Sequence, residues 1–598
     1  MKKRILSILL LCCMVLIMLP TTVLAADGPM DTIPKYDVSI DVYNRTSDIS
    51  IKDSRSYYIY SSVPDKLRDT WAWDKKIFIK GDKTAPHVFI DGVNIKMSPS
   101  SLGPAIELNK KASAYIYFIG KNSSLQGADG RAAIQKNRSE GQLYVLARTG
   151  TTVTCKGGDK AAGIGGSYAT RNISNGYYNG DMYGHGVNMH FGSQSNPDYW
   201  GGIIAAIGGN GGAGIGGGQG GAGEKLYFYS GTIQATSDRF ASGIGGSYEG
   251  RGSEIYIYGG TVSAQGGEGG AGIGGGCWKT EQDMNGINAA HDIYISGGTV
   301  TAKGGYNGAG IGGGQYVPAR NITVTGGVVT ATGHYGAAIG GGRWCHGMDI
   351  TLTDATLNLS TNYRSNGSNA AAVGYGDIVY KPEQLVADPS IATNDRIKVG
   401  SKNGKIVMLT ANGHALRTDG KPSYFMHLTD FLIPDSDGMI DLSLLTLPYT
   451  QNYGWAITDL DMKMMETSCE GNHVYGWKDW NGCHVWGCTR CPARDPLKSG
   501  PAPDGEHIPG EWESQEKKCT VCGHKLMKDT TPPVIEGITN GMEYTADDTD
   551  DGQPGTISFT VSDPVRDKEV SSGVKSVTIN GEEQTVQTGQ AYQLTAPD

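Results

Sequence analysis

The chain carries 598 residues, too many for one ordinary compact domain but suited to an elongated repeat with appendages. Its 90 glycines are about twice the usual share of roughly 7%, yet no strict triplet runs through them, which excludes collagen. A net charge of −9, with no basic stripe interleaved with aromatics, argues against a nucleic-acid partner.

Lys2, Lys3 and Arg4 precede an apolar run from Ile5 to Leu19, and a small-residue site, "VLAA", follows at 23–26. That pattern predicts a secretory signal peptide over 1–26 and hence a secreted or cell-surface protein. The run is too short and wrongly flanked for a membrane span, and no later segment approaches spanning length. Residues 27–85 are expected to form an N-terminal cap and the first coils of a repeat domain.

From residue 86 to 375 one pattern recurs. "GGAGIGGG" at 211–218 returns in near-copies, and the isoleucine of each block serves as a ruler. It falls at Ile106, Ile134, Ile164, Ile215, Ile244, Ile273, Ile311 and Ile339, and Val373 fits the same slot. The steps are 28, 30, 51, 29, 29, 38, 28 and 34 residues, a base period of 28–30 with loop insertions. Such a period signals a solenoid. Within each unit "EIYIYGGTVSA" (254–264) and its companions alternate as strands with one buried face, Ile255 and Ile257 inward, Tyr256 and Tyr258 outward. Three short strands per turn, broken at glycine corners, predict an all-β chain built around a parallel β-helix. The isoleucine fills the core of the third side, and its glycines allow sharp corners and close backbone approach.

This "GAGIGGG … IYISGGTVTA" pattern, over roughly residues 85–375, resembles secreted surface proteins of Gram-positive bacteria that are often described as carbohydrate-binding. The resemblance implies a right-handed parallel β-helix, a surface location and a polysaccharide, host or cell-wall glycan as partner; the chain is expected to be a monomer. It is specific for architecture. For function it is weaker, because β-helices carry lyases, hydrolases, adhesins and spacers alike.

Residues 376–465 lose the glycine blocks but keep apolar runs, and are expected to be last coils or a β-rich cap. Residues 466–526 then change character. His473 and Trp477 precede Cys488 and Cys491, and His507 and Trp512 precede Cys519 and Cys522. Two C-x2-C hooks are a metal-ribbon signal, because two thiolates on one tight turn can share a tetrahedral zinc ion. Cys488, Cys491, Cys519 and Cys522 are the preferred zinc ligands, with His473 and His507 as substitutes if each half binds separately. The competing account is disulfides, as secretion allows, and Cys469 with Cys483 would form an extra one. The segment also resembles small Cys/His modules found beside such repeats. The alternating strands of 529–598 resemble bacterial immunoglobulin-like domains, here expected to be truncated.

Two columns could carry function. Four or five residues after the ruler stand Tyr168, Tyr248, Trp278, Tyr316 and Trp344, beside the longest insertions; Gln219 breaks the series. Aromatic faces suit the C–H faces of sugars, so this column is the candidate glycan site. The competing account is a stack that seals the corner between coils. Just before the first strand stand Lys225, Glu254, Asp292, Asn321 and Asp349. Glu254, Asp292 and Asp349 are the candidate catalytic carboxylates of an alternative lyase or glycoside hydrolase, and such a row could instead hold calcium. No clear basic residue stands opposite them to act as a lyase base. The favoured reading is therefore a non-enzymatic glycan-binding or adhesion protein. Cys155, Cys277 and Cys345 are expected to be free thiols.

Overall fold

The computed structural model describes residues 29–376 apart from 82–83, 99–102, 110, 137–139, 169–183, 279–288, 354, 362–369 and 375, and separate stretches between 396 and 595. Residues 1–26, where a signal peptide is expected, lie outside the described residues, as do Cys469, His473 and His507. The chain divides into two units, Met1–Thr446 with Asn452–Glu466, and Leu447–Gln451 with Thr467–Asp598.

The first unit is a right-handed parallel β-helix whose three sheets stack, among the described residues, 12, 11 and 9 parallel strands. From His87 to Gly374 each coil gives one strand to each sheet; in one coil these are Gly252–Ile257, Thr261–Gln265 and the two-residue Ile273–Gly274. The ruler isoleucines form a single inward column, in register from Ile106 through Ile134, Ile164, Ile215, Ile244, Ile273, Ile311 and Ile339 to Val373. The column also extends two coils upstream, to Ile77 and Ile49. Both lie in segments without glycine blocks, which is why the ruler starts only at Ile106 in the sequence.

Every coil fills the interior the same way. Ile255 and Ile257 of the first sheet, Val262 and Ala264 of the second and Ile273 of the third are all buried. Each fully buried isoleucine contributes about 1.5–3 kcal/mol, and repetition multiplies the term. Cys155 takes an interior place on the second sheet, while Cys277 and Cys345 are buried at the turns after the third; all three are free thiols. Burial pushes the Cys277 and Cys345 thiols up to about 12, so they stay protonated and unreactive.

The glycine after each ruler isoleucine has a specific task. Gly245 has φ +124°, and a Cβ there would collide with the Gly274 carbonyl of the next coil. Only glycine lets the narrow third sheet turn this tightly at the coil spacing of about 4.8 Å.

At the C-terminal end Leu357–Ser360 pairs antiparallel with Trp455–Glu466, which pairs in turn with Lys405–Leu416, itself paired with Pro422–Leu432. This antiparallel extension covers the edge of the second sheet that a solenoid would otherwise leave open. Among the described residues no helix is long and apolar enough to cross a membrane.

In the second unit, Tyr475–Trp480, Cys483–Cys488 and Gly505–Glu506 form a three-stranded antiparallel sheet. Lys517–Lys518 and Lys525–Leu526 form a hairpin whose turn carries Cys519 and Cys522. Farther on, Val534–Glu536, Thr556–Ser562 and Ala591–Thr595 make a second antiparallel sheet, and Val577–Ile579 pairs with Glu582–Gln584.

Candidate functional site

The acidic column sits differently from its sequence reading. Lys225, Glu254, Asp292, Asn321 and Asp349, joined by Asn188, all have φ between +52° and +57°. The ladder skips them: Glu224 pairs with Ser253 and Leu226 with Ile255, leaving Lys225 and Glu254 unpaired between. They are therefore not the openings of strands but one left-handed kink inside the strand, repeated at the same register coil after coil. The left-handed conformation explains the residue types, since Asn and Asp tolerate it best among non-glycine residues. Asp292 accepts hydrogen bonds from His291 Nδ1 at 2.8 Å and from the Asn321 amide, which also donates to Tyr294 Oη at 2.8 Å. Burial raises the Asp292 pKa, but the bonds from His291 and Asn321 outweigh it and hold the carboxyl below its usual value. Asp292 is thus an ionised acceptor within the column and a poor proton donor.

The aromatic corner is discontinuous. Tyr316 and Trp344 stack with centroids 4.6 Å apart. Tyr248 packs instead on Phe240, and Tyr168 lies 5.0 Å from the Lys160 ammonium. Trp278 is half-buried, and its indole Nε1 has no partner among the described residues. A shared offset from the ruler therefore places these five side chains on one corner without making them one stack.

Around Tyr316 and Trp344 the corner gathers residues that precede the ruler as well as follow it. Tyr306, 44% exposed, meets His334 and Tyr335 edge-to-face at 4.5 and 4.8 Å. The Arg343 guanidinium lies 4.3 Å from the Tyr335 ring centroid and 4.2 Å from that of Trp344. Asn307 accepts a 3.1 Å bond from Arg343 and donates one, also 3.1 Å, to Gln315. Because the third-sheet strand is only two residues long, the turns on either side of it meet across the narrow edge. Counting back from the ruler through "GGYNGAG" and "TGHYGAA" would have found Tyr306, His334 and Tyr335 in the sequence.

A second aromatic surface runs along the outer face of the first sheet. His87, Tyr115, Tyr144, His190, Tyr227, Tyr256 and Tyr294 stack in register, with successive centroids 4.6, 4.6, 4.4, 4.5, 5.0 and 5.1 Å apart. Rings stacked this closely spend their faces on one another, so the ladder shows mainly edges and hydroxyls to its surroundings. Its N-terminal half is covered. Trp200 Nε1 donates to the Met30 carbonyl at 3.0 Å, Met30 N donates to Tyr117 Oη at 2.8 Å, and Phe89, Tyr117, Leu146 and Trp200 close over the sheet. The open half ends on Tyr294, whose next neighbour in the column is Thr323.

A family model described as a beta helix repeat matches residues 229–248, 255–277, 293–315 and 322–343. The matched segments lie in the coils that carry both the open ladder and the narrow-edge cluster. Neither a curated protein nor a solved structure matches the chain. The likeness therefore speaks to the coil architecture, and the chemistry has to come from the surfaces.

Among the described residues no three His, Cys, Asp or Glu side chains are gathered closely enough to hold a metal. Of the expected zinc ligands, Cys488 and Cys519 are buried and Cys491 and Cys522 half-buried.

Proposed function

We propose that this is a secreted, non-enzymatic glycan-binding protein of the bacterial cell surface, with the narrow edge around Tyr306, Tyr316, His334, Tyr335, Arg343 and Trp344 as its contact surface. The observation that carries the reading is the exposed Tyr306 ring set edge-to-face against His334 and Tyr335, beside an arginine held between two rings. Exposed aromatic faces suit the C–H faces of sugars, neighbouring amides suit their hydroxyls, and Arg343 favours a sugar that carries a carboxylate. On this reading the antiparallel strands of 534–595 belong to an immunoglobulin-like stalk module. The ladder, its faces already stacked, is the scaffold behind the site and not the site.

A glycan array with the secreted chain tests the proposal. Binding should weaken by about 1–3 kcal/mol in Tyr306→Ala, by analogy with bases stacking on aromatic side chains. Its melting temperature should move little, because Tyr306 lies at the surface with 44% of its area already in solvent. Unchanged glycan affinity in Tyr306→Ala and Trp344→Ala, with a large loss of stability, would make the cluster structural. Release of products from a polysaccharide, abolished by Asp292→Asn, would make the protein an enzyme.

A further inference from the structure

Beside the aromatic cluster of the narrow edge, a chain of polar side chains crosses three coils. Asn307 and Gln315 bracket the two-residue strand Ile311–Gly312. Cys277 follows the matching strand Ile273–Gly274 of the coil before, and Arg343 follows Ile339–Gly340 of the coil after. Asn307 is 8% exposed and its backbone is fixed on both sides. Its N–H donates to the Glu268 carbonyl at 2.9 Å, and its carbonyl accepts from Arg343 N at 2.9 Å. Gln315 is fixed in the same way, donating its N–H to the Gly269 carbonyl at 2.7 Å and accepting from Trp278 N at 3.0 Å.

The direction of each side-chain bond follows from these partners. A guanidinium only donates, so the atom that Asn307 turns to Arg343 Nη1, at 3.1 Å, has to be its oxygen. Its Nδ2 then faces Gln315 Oε1, at 3.1 Å. The Cys277 thiol, kept protonated by burial, donates to the same Gln315 oxygen at 3.7 Å. Arg343 is thus pinned through Asn307 to the two preceding coils, while its guanidinium lies against the Tyr335 and Trp344 rings. An aspartate at 307 could accept the same bond but would offset the positive charge. An amide holds the guanidinium in place and leaves its charge as it is.

We infer that the narrow edge takes an acidic glycan, one whose sugars carry carboxylates, and that Asn307 is the positioning residue that sets this preference by holding Arg343 without neutralising it. The inference rests on the reading of this edge as the glycan-contact surface. Tyr306 and Arg343 both touch Tyr335, at 4.8 and 4.3 Å, and Arg343 is half-exposed. A sugar seated on the exposed Tyr306 ring therefore carries its own carboxylate, or its neighbour's, past the guanidinium. An arginine already held in one position gives up less side-chain freedom when it binds, so the pin adds affinity for the charged group alone.

The test is a paired glycan array, in which glycans containing uronic or sialic acids stand beside the same glycans with their carboxyl groups reduced to alcohols. The full chain should bind the acidic members about tenfold or more tightly than their reduced partners, as one charge-assisted hydrogen bond supplies, and added salt should shrink that ratio. Asn307→Asp should bring the ratio towards one. Asn307→Ala, which removes the pin and adds no charge, should lower it less, and it carries the test if the aspartate variant does not fold. A purely structural role for Asn307 would weaken both members of each pair alike and leave the ratio intact in both variants, which would overturn its assignment. Equal binding of acidic and reduced glycans by the unsubstituted chain would overturn the acidic preference while leaving the edge a glycan site. Binding to no glycan of either kind would overturn the glycan reading itself and the inference with it.

Discussion

Tyr115 and Tyr256 occupy the same outward column of the first sheet, four coils apart. Tyr115 is 2% exposed and lies under the Met30–Trp200 cover, whereas Tyr256 is half-exposed. One repeated sequence position therefore makes core in one region and surface in the other, and the difference comes from a distant arm and loop. Outward residues of a solenoid have no fixed environment until something is laid over them.

Removing the cover is the strongest way to break the contrast. Trp200 is 1% exposed, so Trp200→Ala should cost about 3–5 kcal/mol, read by denaturant unfolding. It should also expose the arm around Met30 to protease. A loss below about 1 kcal/mol would mean that the two halves of the ladder are equivalent and the cover is decoration.

Acid should separate the halves next. His190 lies within the ladder, and burial, then the nearby Lys136 charge, lower its pKa to about 3. The folded value lies below the unfolded one, near 6.5, so the unfolded chain binds the proton first as pH falls. The stabilising contribution is complete above about pH 6.5 and is lost progressively towards pH 3. By pH 5 the loss should reach about 2 kcal/mol relative to neutral pH. His190→Tyr continues the ladder with the side chain used in its neighbours, and its unfolding should lack this share of the acid sensitivity. Equal pH profiles for the two proteins would refute the assignment to His190.

The sequence carried the coils plainly, because a glycine block at a fixed period marks the one place where backbone must approach backbone. It carried the ladder only in fragments. Tyr256 and Tyr258 read as outward from strand alternation, but the column passes through His87 and His190, and a 51-residue step interrupts the ruler between Ile164 and Ile215. The left-handed kink was hidden because a single left-handed residue inside a strand has no periodic signature; only the excess of Asn and Asp hints at it. The corner column misled in the opposite direction. Equal offset from the ruler was right for each residue, yet Tyr168 and Tyr248 pack on Lys160 and Phe240 of local turns and not on one another. The cover over Tyr115 was least legible, since it joins Met30 to Trp200 across 170 residues.

Within the open half, Tyr256→Ala removes two stacked contacts, to Tyr227 at 5.0 Å and to Tyr294 at 5.1 Å. The expected cost is about 1–2 kcal/mol, less than at Trp200 because Tyr256 is half in solvent already. Calorimetry of the two variants side by side measures that ordering. A larger loss at Tyr256 than at Trp200 would place the rigid core of this face in its open half.

The smallest effect concerns the column of left-handed kinks that runs beside the ladder, and its expected sign is the opposite. Glu254 holds φ +53° in a column where neighbouring coils use Asp292, Asn321 and Asp349. An L-residue in this region is strained by roughly 1–2 kcal/mol, and a short side chain that bonds to its surroundings recovers part of that. Asn321 does so, with its amide shared between Asp292 and Tyr294 Oη, joining the kink column to the ladder. Glu254→Asn should therefore raise stability by up to about 1 kcal/mol, whereas Glu254→Val, β-branched, should lower it. Thermal unfolding of both variants checks the two signs together. If the residue types in this column were selected for catalysis, the ranking would instead follow activity, with Glu254→Asn inactive on a polysaccharide whatever its melting temperature. A stabilised Glu254→Asn with unchanged glycan binding leaves conformation as the reason that Asn and Asp recur there.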